Sequence, residues 1–251
     1  MEIGKKNYYL EIADNAHILS HRLAENCSRG PFLEEDLACT NVALDLIGLA
    51  ESVYNEIAKQ SEENVSGDDI AYRRDEIDYR NCLLVEQPNN DFAHLMTRQF
   101  FMDTYHYYLF TELSVSSDTF LSALANKSLK EVTYHLKRSS EWMIRFGNGT
   151  EESKDRAQDA IRKLWRYTDE LFTSDASYSD CIGSGVYPDQ DKLKTLWSQK
   201  VDEVLFLAQL AKPENKEFQL FGGKSGRHSE HLGFILTEMQ FLPNKYPEAT
   251  W

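Results

Sequence analysis

The chain has 251 residues, with 41 acidic against 27 basic side chains, a formal net charge of −14 and a pI near 4.9. Binding a phosphate backbone needs a surplus of Lys and Arg that can displace counterions, so nucleic acid is excluded as a partner. At 41% hydrophobic and 12% aromatic residues the chain can bury a large core. Its richest apolar stretches, near Val42 to Ala50 and Val201 to Ala211, are shorter than the ~18 residues of a membrane span, so no membrane is expected.

Residues Met1 to Tyr9 lack the apolar core and cleavage site of a secretion signal, which predicts a cytoplasmic protein. Cys27, Cys39, Cys82 and Cys181 form no Cys-x-x-Cys pair and are expected to be reduced packing residues. With 12 Gly and 6 Pro, and apolar positions recurring at three and four, the chain reads as helix almost throughout. The first helix is expected from Asn7 to Cys27, stopped by Gly30 and Pro31, and the second from Leu33 to Gln60. A shorter helix follows from Ala71 to Val85, ended by Pro88. Next come Asp91 to Val115, then a helix capped at Asp118 that ends before the glycines at 147 and 149. Glu151 to Phe172, Asp189 to Ala211 and Glu230 to Leu242 complete the set, with Thr173 to Pro188 as the one long loop. Four helices are long, so the expected fold is all-α: a four-helix bundle with flanking helices in a single domain, 1–251.

Charged residues on apolar rows carry the chemical signal. The row Phe92, Met96, Phe100, Asp103, Tyr107, Phe110 places one carboxylate on an apolar face. Leu124, Ser128, Glu131, His135, Trp142 does the same, and so does Ala38, Val42, Asp45, Gly48 or Leu49, and Ser52. Three inward carboxylates on three long helices are thus expected. Buried carboxylates are costly unless paired or bound to metal, and facing carboxylates are how di-iron bundles hold their metals.

A di-iron bundle also needs Glu-x-x-His on two helices, because i and i+3 can ligate together. No Glu here is followed three residues later by His: Gly48 stands three after Asp45, and Tyr134 three after Glu131. His135 comes one residue late, turned by about 100° on the helix. Asp14 with His17, Asp91 with His94 and Asp103 with His106 have the spacing, but such matches are common in an acidic helical chain. The alternative to a metal site is a set of carboxylates meeting Arg, Lys, Tyr or His across the core.

The segment Gly222-Gly-Lys-Ser225 lacks the earlier glycine and the preceding strand of a phosphate loop, so no nucleotide site is expected there. His228 and His231 have metal-ligand spacing, but a helix start capped by Ser229, with Glu230 solvated, accounts for them more simply.

Long dispersed segments, among them Leu33 to Ala38, Asn41-Val-Ala-Leu-Asp-Leu-Ile-Gly48, Leu83 to Ala93 and Arg98 to His106, together resemble one family, the non-catalytic structural subunit of the bacterial multicomponent phenylacetyl-CoA epoxidase. The segments also include Glu131 to Leu136, Phe146 to Thr150 and Lys163 to Phe172. The last are Gly222-Gly-Lys-Ser-Gly-Arg-His-Ser-Glu-His-Leu-Gly233 and Glu238-Met-Gln240. Asn90, Ser229 and Glu248 depart from what the family usually carries. The resemblance implies a ferritin-like fold related to the di-iron catalytic subunit, with no catalytic residue, metal or cofactor of its own. Asp45, Gly48, Asp103, Glu131 and Tyr134 would then be vestigial metal-site positions. Gly222, Gly223, Lys224, Gly226, His228, Glu230 and His231 form a family segment of unknown role. The implied partner is the homologous catalytic subunit, which would carry the di-iron centre, in a homodimer or heterotetramer. The alternative is an active di-metal oxygenase using Asp45, Asp103, Glu131 and His135.

Overall fold

The computed structural model describes residues 1–174, 177–178, 185–213, 218–247 and 249. Among these residues the chain is all-α, with nine helices and no β-strand. They are α1 (Ile3–Ala24), α2 (Leu33–Lys59), α3 (Gly67–Tyr72), α4 (Leu83–Glu86), α5 (Phe92–Leu113), α6 (Thr119–Gly147), α7 (Glu151–Leu164), α8 (Gln190–Leu207) and α9 (Glu230–Lys245). Where the sequence suggests one domain, the backbone contacts group into two compact units, Met1–Pro88 with Phe221–Trp251, and Asn89–Leu220. Cys181 and most of the loop expected between Thr173 and Pro188 lie outside the described residues.

In the first unit α1 and α2 pair along their length, with α3 against α2, α4 against α1 and α9 against α3. In the second, α5 and α6 pair in the same way, with α7 and α8 packed on both. Each unit has one helix buried on nearly all faces, α1 and α5. Neither is uniformly apolar. Helix α1 buries Glu11, Asp14, Asn15 and His17, and α5 buries Arg98, Gln99, Asp103 and His106. Burying such groups is costly without hydrogen-bonding partners, so donors and acceptors are expected around both helices.

Caps fix most helix starts. The Asp118 side chain accepts from the backbone N–H groups of Phe120 and Leu121, Asp91 from His94, and Thr150 from Ser153. Ser66 and Asp69 form a reciprocal capping box at α3. The helix expected from Ala71 to Val85 is absent as such: α3 stops at Tyr72, a single 3-10 turn spans Glu76–Asp78, and α4 starts at Leu83. Asp75, Tyr79 and Cys82 are extended. Helix α7 likewise ends at Leu164, and 3-10 turns carry the chain to Phe172. Of the cysteines, Cys39 and Cys82 are buried as expected, whereas Cys27 is exposed.

By length and composition alone, α2 is apolar enough to cross a membrane, a test that core helices of soluble proteins also pass. Its face toward α1 includes Val42, Leu46, Leu49, Val53 and Ile57, all buried.

Candidate functional site

Each unit holds some of the polar residues predicted from sequence. In the second unit Asp103 is 1% exposed, and the Gln99 amide donates to its Oδ1 at 2.6 Å. Oδ2 has no hydrogen-bond partner among the described residues. Burial raises this carboxyl above its ordinary value, against the opposing influence of His135, Ser139, Gln99 and Arg138. His106, one turn along α5, is pushed down to about 3, first by burial and then by His135. A neutral imidazole thus stands near a carboxyl that retains its proton above the usual range. Glu131 is half-buried, and Tyr134 is 52% exposed, its ring meeting His135 edge-on at 6.2 Å.

On α2 of the first unit Asp45 and Gly48 are half-buried. Of the three carboxylates expected inside, only Asp103 is fully buried, because burial depends on the packing around a helix as well as on its own row. These positions do not fit a di-iron centre. Gly48 offers no ligand atom, Tyr134 is turned to solvent, and among the described residues no three His, Cys, Asp or Glu converge as metal ligands do.

The segment from Gly222 to His231 acts as a clasp within the first unit. Gly222 (φ +152°) and Gly226 (φ +79°) take conformations that L side chains rarely adopt. A Cβ on Gly226 would lie 2.3 Å from the Ile77 carbonyl oxygen. This turn drives Lys224 into the interior, where it pairs with the buried Glu11. The only cation of Gly222–Ser225 is therefore paired within the chain. Gly226→Ala is expected to destabilise the unit by about 2 to 3 kcal/mol through strain at positive φ and collision with backbone, measured by chemical denaturation.

Glu86 is the centre of the clasp. Its Oε1 lies 2.6 Å from His228 Nδ1 and accepts from the Asn81 amide at 2.9 Å. Its Oε2 accepts from the Ser229 N–H at 2.8 Å and hydroxyl at 2.5 Å. Arg22 donates to the Glu86 carbonyl, and His228 Nε2 lies 3.1 Å from the Tyr79 carbonyl oxygen. The cap expected from Ser229 is thus absent: its hydroxyl serves Glu86 rather than the start of α9. Glu230 is exposed and His231 half-buried, with the His231 carbonyl accepting from Arg22.

A second buried network was only faintly signalled, by Asp14 with His17. Arg74 donates to both carboxylate oxygens of Asp14, the Tyr54 hydroxyl donates to Oδ1 at 2.6 Å, and the Arg80 N–H to Oδ2 at 2.7 Å. His17 Nδ1 lies 3.1 Å from the Tyr54 hydroxyl, and His21 Nε2 lies 3.2 Å from His17 Nε2. Burial, then His21 and Arg74, hold His17 well below its ordinary value. A cavity of about 180 Å³ borders His17, Tyr54 and Tyr72. The ion pair and hydrogen bonds tie these groups to one another as a buried polar network.

Comparison with known proteins agrees with the resemblance. The family model described as "Phenylacetic acid catabolic protein" matches residues 4–251. The chain is 42% identical over 244 residues to one of the subunits of the 1,2-phenylacetyl-CoA epoxidase of Escherichia coli (strain K12), covering 97% of this chain and 98% of that protein. With its all-α, ferritin-like fold class and a match across nearly its whole length, the chain belongs to the phenylacetic acid catabolic protein family.

Proposed function

We propose that this chain is the non-catalytic structural subunit of a phenylacetyl-CoA 1,2-epoxidase, binding and steadying its di-iron catalytic subunit in the cytoplasm. The reading rests chiefly on one observation: the places that would hold ligating histidines carry Gly48, without a ligand atom, and Tyr134, 52% exposed. It is supported by the end-to-end similarity to a protein named as a subunit of such an enzyme. The chain carries no cofactor of its own, the partner supplies the iron, and the assembly is a homodimer or heterotetramer.

The test joins metal analysis to co-purification. The isolated chain is expected to contain far less than one iron per chain, to leave phenylacetyl-CoA unchanged, and to co-purify with the catalytic subunit. Omitting it should leave that subunit insoluble or inactive. About two metals per isolated chain, lost on Asp103→Ala, would overturn the reading in favour of a di-metal oxygenase.

A further inference from the structure

One face of α2 carries an apolar row that the described residues leave exposed. Leu33, Leu37, Asn41, Leu44 and Gly48 follow one another at steps of four and three, so they share one side of the helix. Leu33 is 69% exposed, Leu37 54% and Leu44 61%. Single exposed leucines are ordinary on a soluble surface, but three aligned on one helix form a patch. Of the most apolar stretch of α2 only 44% is buried.

Gly48 extends this row into the middle of the helix, where glycine costs about 1 kcal/mol relative to alanine. Gly147 and Gly223, by contrast, stand against neighbouring backbone, since a Cβ would lie 1.7 Å from Ala208 O and 2.3 Å from Asn81 O respectively. A Cβ on Gly48 would meet nothing within 4 Å. No packing among the described residues calls for glycine there. A surface from outside that approaches α2 closely would.

Charge selects the occupant. Glu34 and Asp45 border the leucine row on one side and Asp36 on the other, and the only base on α2 is Lys59 in its last turn. Two copies joined through this face about a two-fold axis would set the same acids against one another. We propose that this face of α2 docks a helix of another subunit of the complex, one with an apolar ridge flanked by Lys and Arg whose backbone comes closest at Gly48. The inference rests on the subunit role proposed above and adds the surface and the chemistry of the partner.

The experiment compares the full wild-type chain with Gly48→Leu and with Leu37→Arg combined with Leu44→Arg. Each is tested against the remaining co-expressed subunits of the epoxidase and by thermal melting alone. Both variants are expected to melt at or above the wild-type temperature while binding the other subunits at least tenfold more weakly. Wild-type binding should also weaken as salt is raised, because acid–base rims are screened. Variants that bind as tightly as wild type would overturn docking on α2 and leave the subunit role standing. A wild-type chain that binds no other subunit would overturn both. Loss of self-association or of adsorption to phosphatidylcholine vesicles in the variants, with subunit binding unchanged, would overturn the choice of occupant.

Discussion

Lowering the pH from 7 toward 5 is expected to weaken the folded chain steeply, by up to about 4 kcal/mol per pH unit summed over both units. Three buried imidazoles set most of the slope, and His21, which burial also lowers, adds to it in the same sense. His17 is held well below its ordinary value by burial, His21 and Arg74; His94 is held at about 4 by burial and then Arg98; His106 at about 3 by burial and then His135. Each folded value lies below the unfolded value near 6.5, so the unfolded chain takes up protons that the folded chain refuses. Their contribution is therefore complete above pH 6.5 and is lost as pH falls toward the folded values, at about 1.4 kcal/mol per unit for each ring. Asp103 acts in the opposite sense. Burial raises its carboxyl, so the folded chain takes up that proton before the unfolded one and gains stability as pH falls through its folded value. Denaturant titrations at pH 7, 6 and 5 should show the midpoint falling, and His106→Phe should remove about a third of the slope. A midpoint independent of pH would sink this account.

Glu86→Ala is expected to destabilise the first unit by about 3 to 5 kcal/mol, a large share of the 5 to 15 kcal/mol that typically holds a domain. The carboxylate is fully buried and is shared by the Asn81 amide, the His228 ring and two donors of Ser229. Removing it leaves these groups inside without their acceptor, which costs more than the bonds themselves contribute. Glu86→Gln should cost less, because one amide oxygen still accepts. The melting temperature of the Ala variant should drop by about 10 °C. Amide exchange should rise first through α9, the helix that the clasp fastens. Uniform exchange across the unit would show instead that the clasp contributes no local anchoring. High salt should change little, since hydrogen bonds this deep are weakly screened.

The long helices were legible because their signals are local. Helix α2 begins at the predicted Leu33 and ends one residue before the predicted Gln60, and α6 starts directly after its Asp118 cap. The stretch from Ala71 to Val85 departs from its predicted helix for a reason outside itself. The Arg80 N–H donates to the Asp14 side chain and the Cys82 N–H to the Asn15 side chain, both at 2.7 to 2.8 Å. Extended backbone is stabilised there by two acceptors more than sixty residues earlier in the chain, which no periodicity within the stretch encodes.

The buried acids follow the same logic. Asp103 is legible from the apolar row of its own helix, whereas Glu11, Asp14 and Glu86 are not. What brings those three inside is Lys224, Arg74 and the His228–Ser229 pair, each far away in sequence. The family segment at Gly222 is visible as a motif, and its role as an anchor emerges only with Glu86 and Glu11 beside it.

The division of the chain bears on the order in which it can fold during synthesis. Asn89–Leu220 is continuous, whereas the other unit is assembled from both sides of it and includes Phe221–Trp251. When residue 220 has been made, the middle unit has all of its sequence, while the first still lacks the lysine for Glu11 and the histidine and serine for Glu86. Helices α1 and α2 can pair early through near neighbours, and Asp14 meets Arg74 soon after, but Glu11 and Glu86 wait on the ribosome for the last part of the message. During that interval the first unit lacks the ion pair and hydrogen bonds that the end of the chain brings to Glu11 and Glu86.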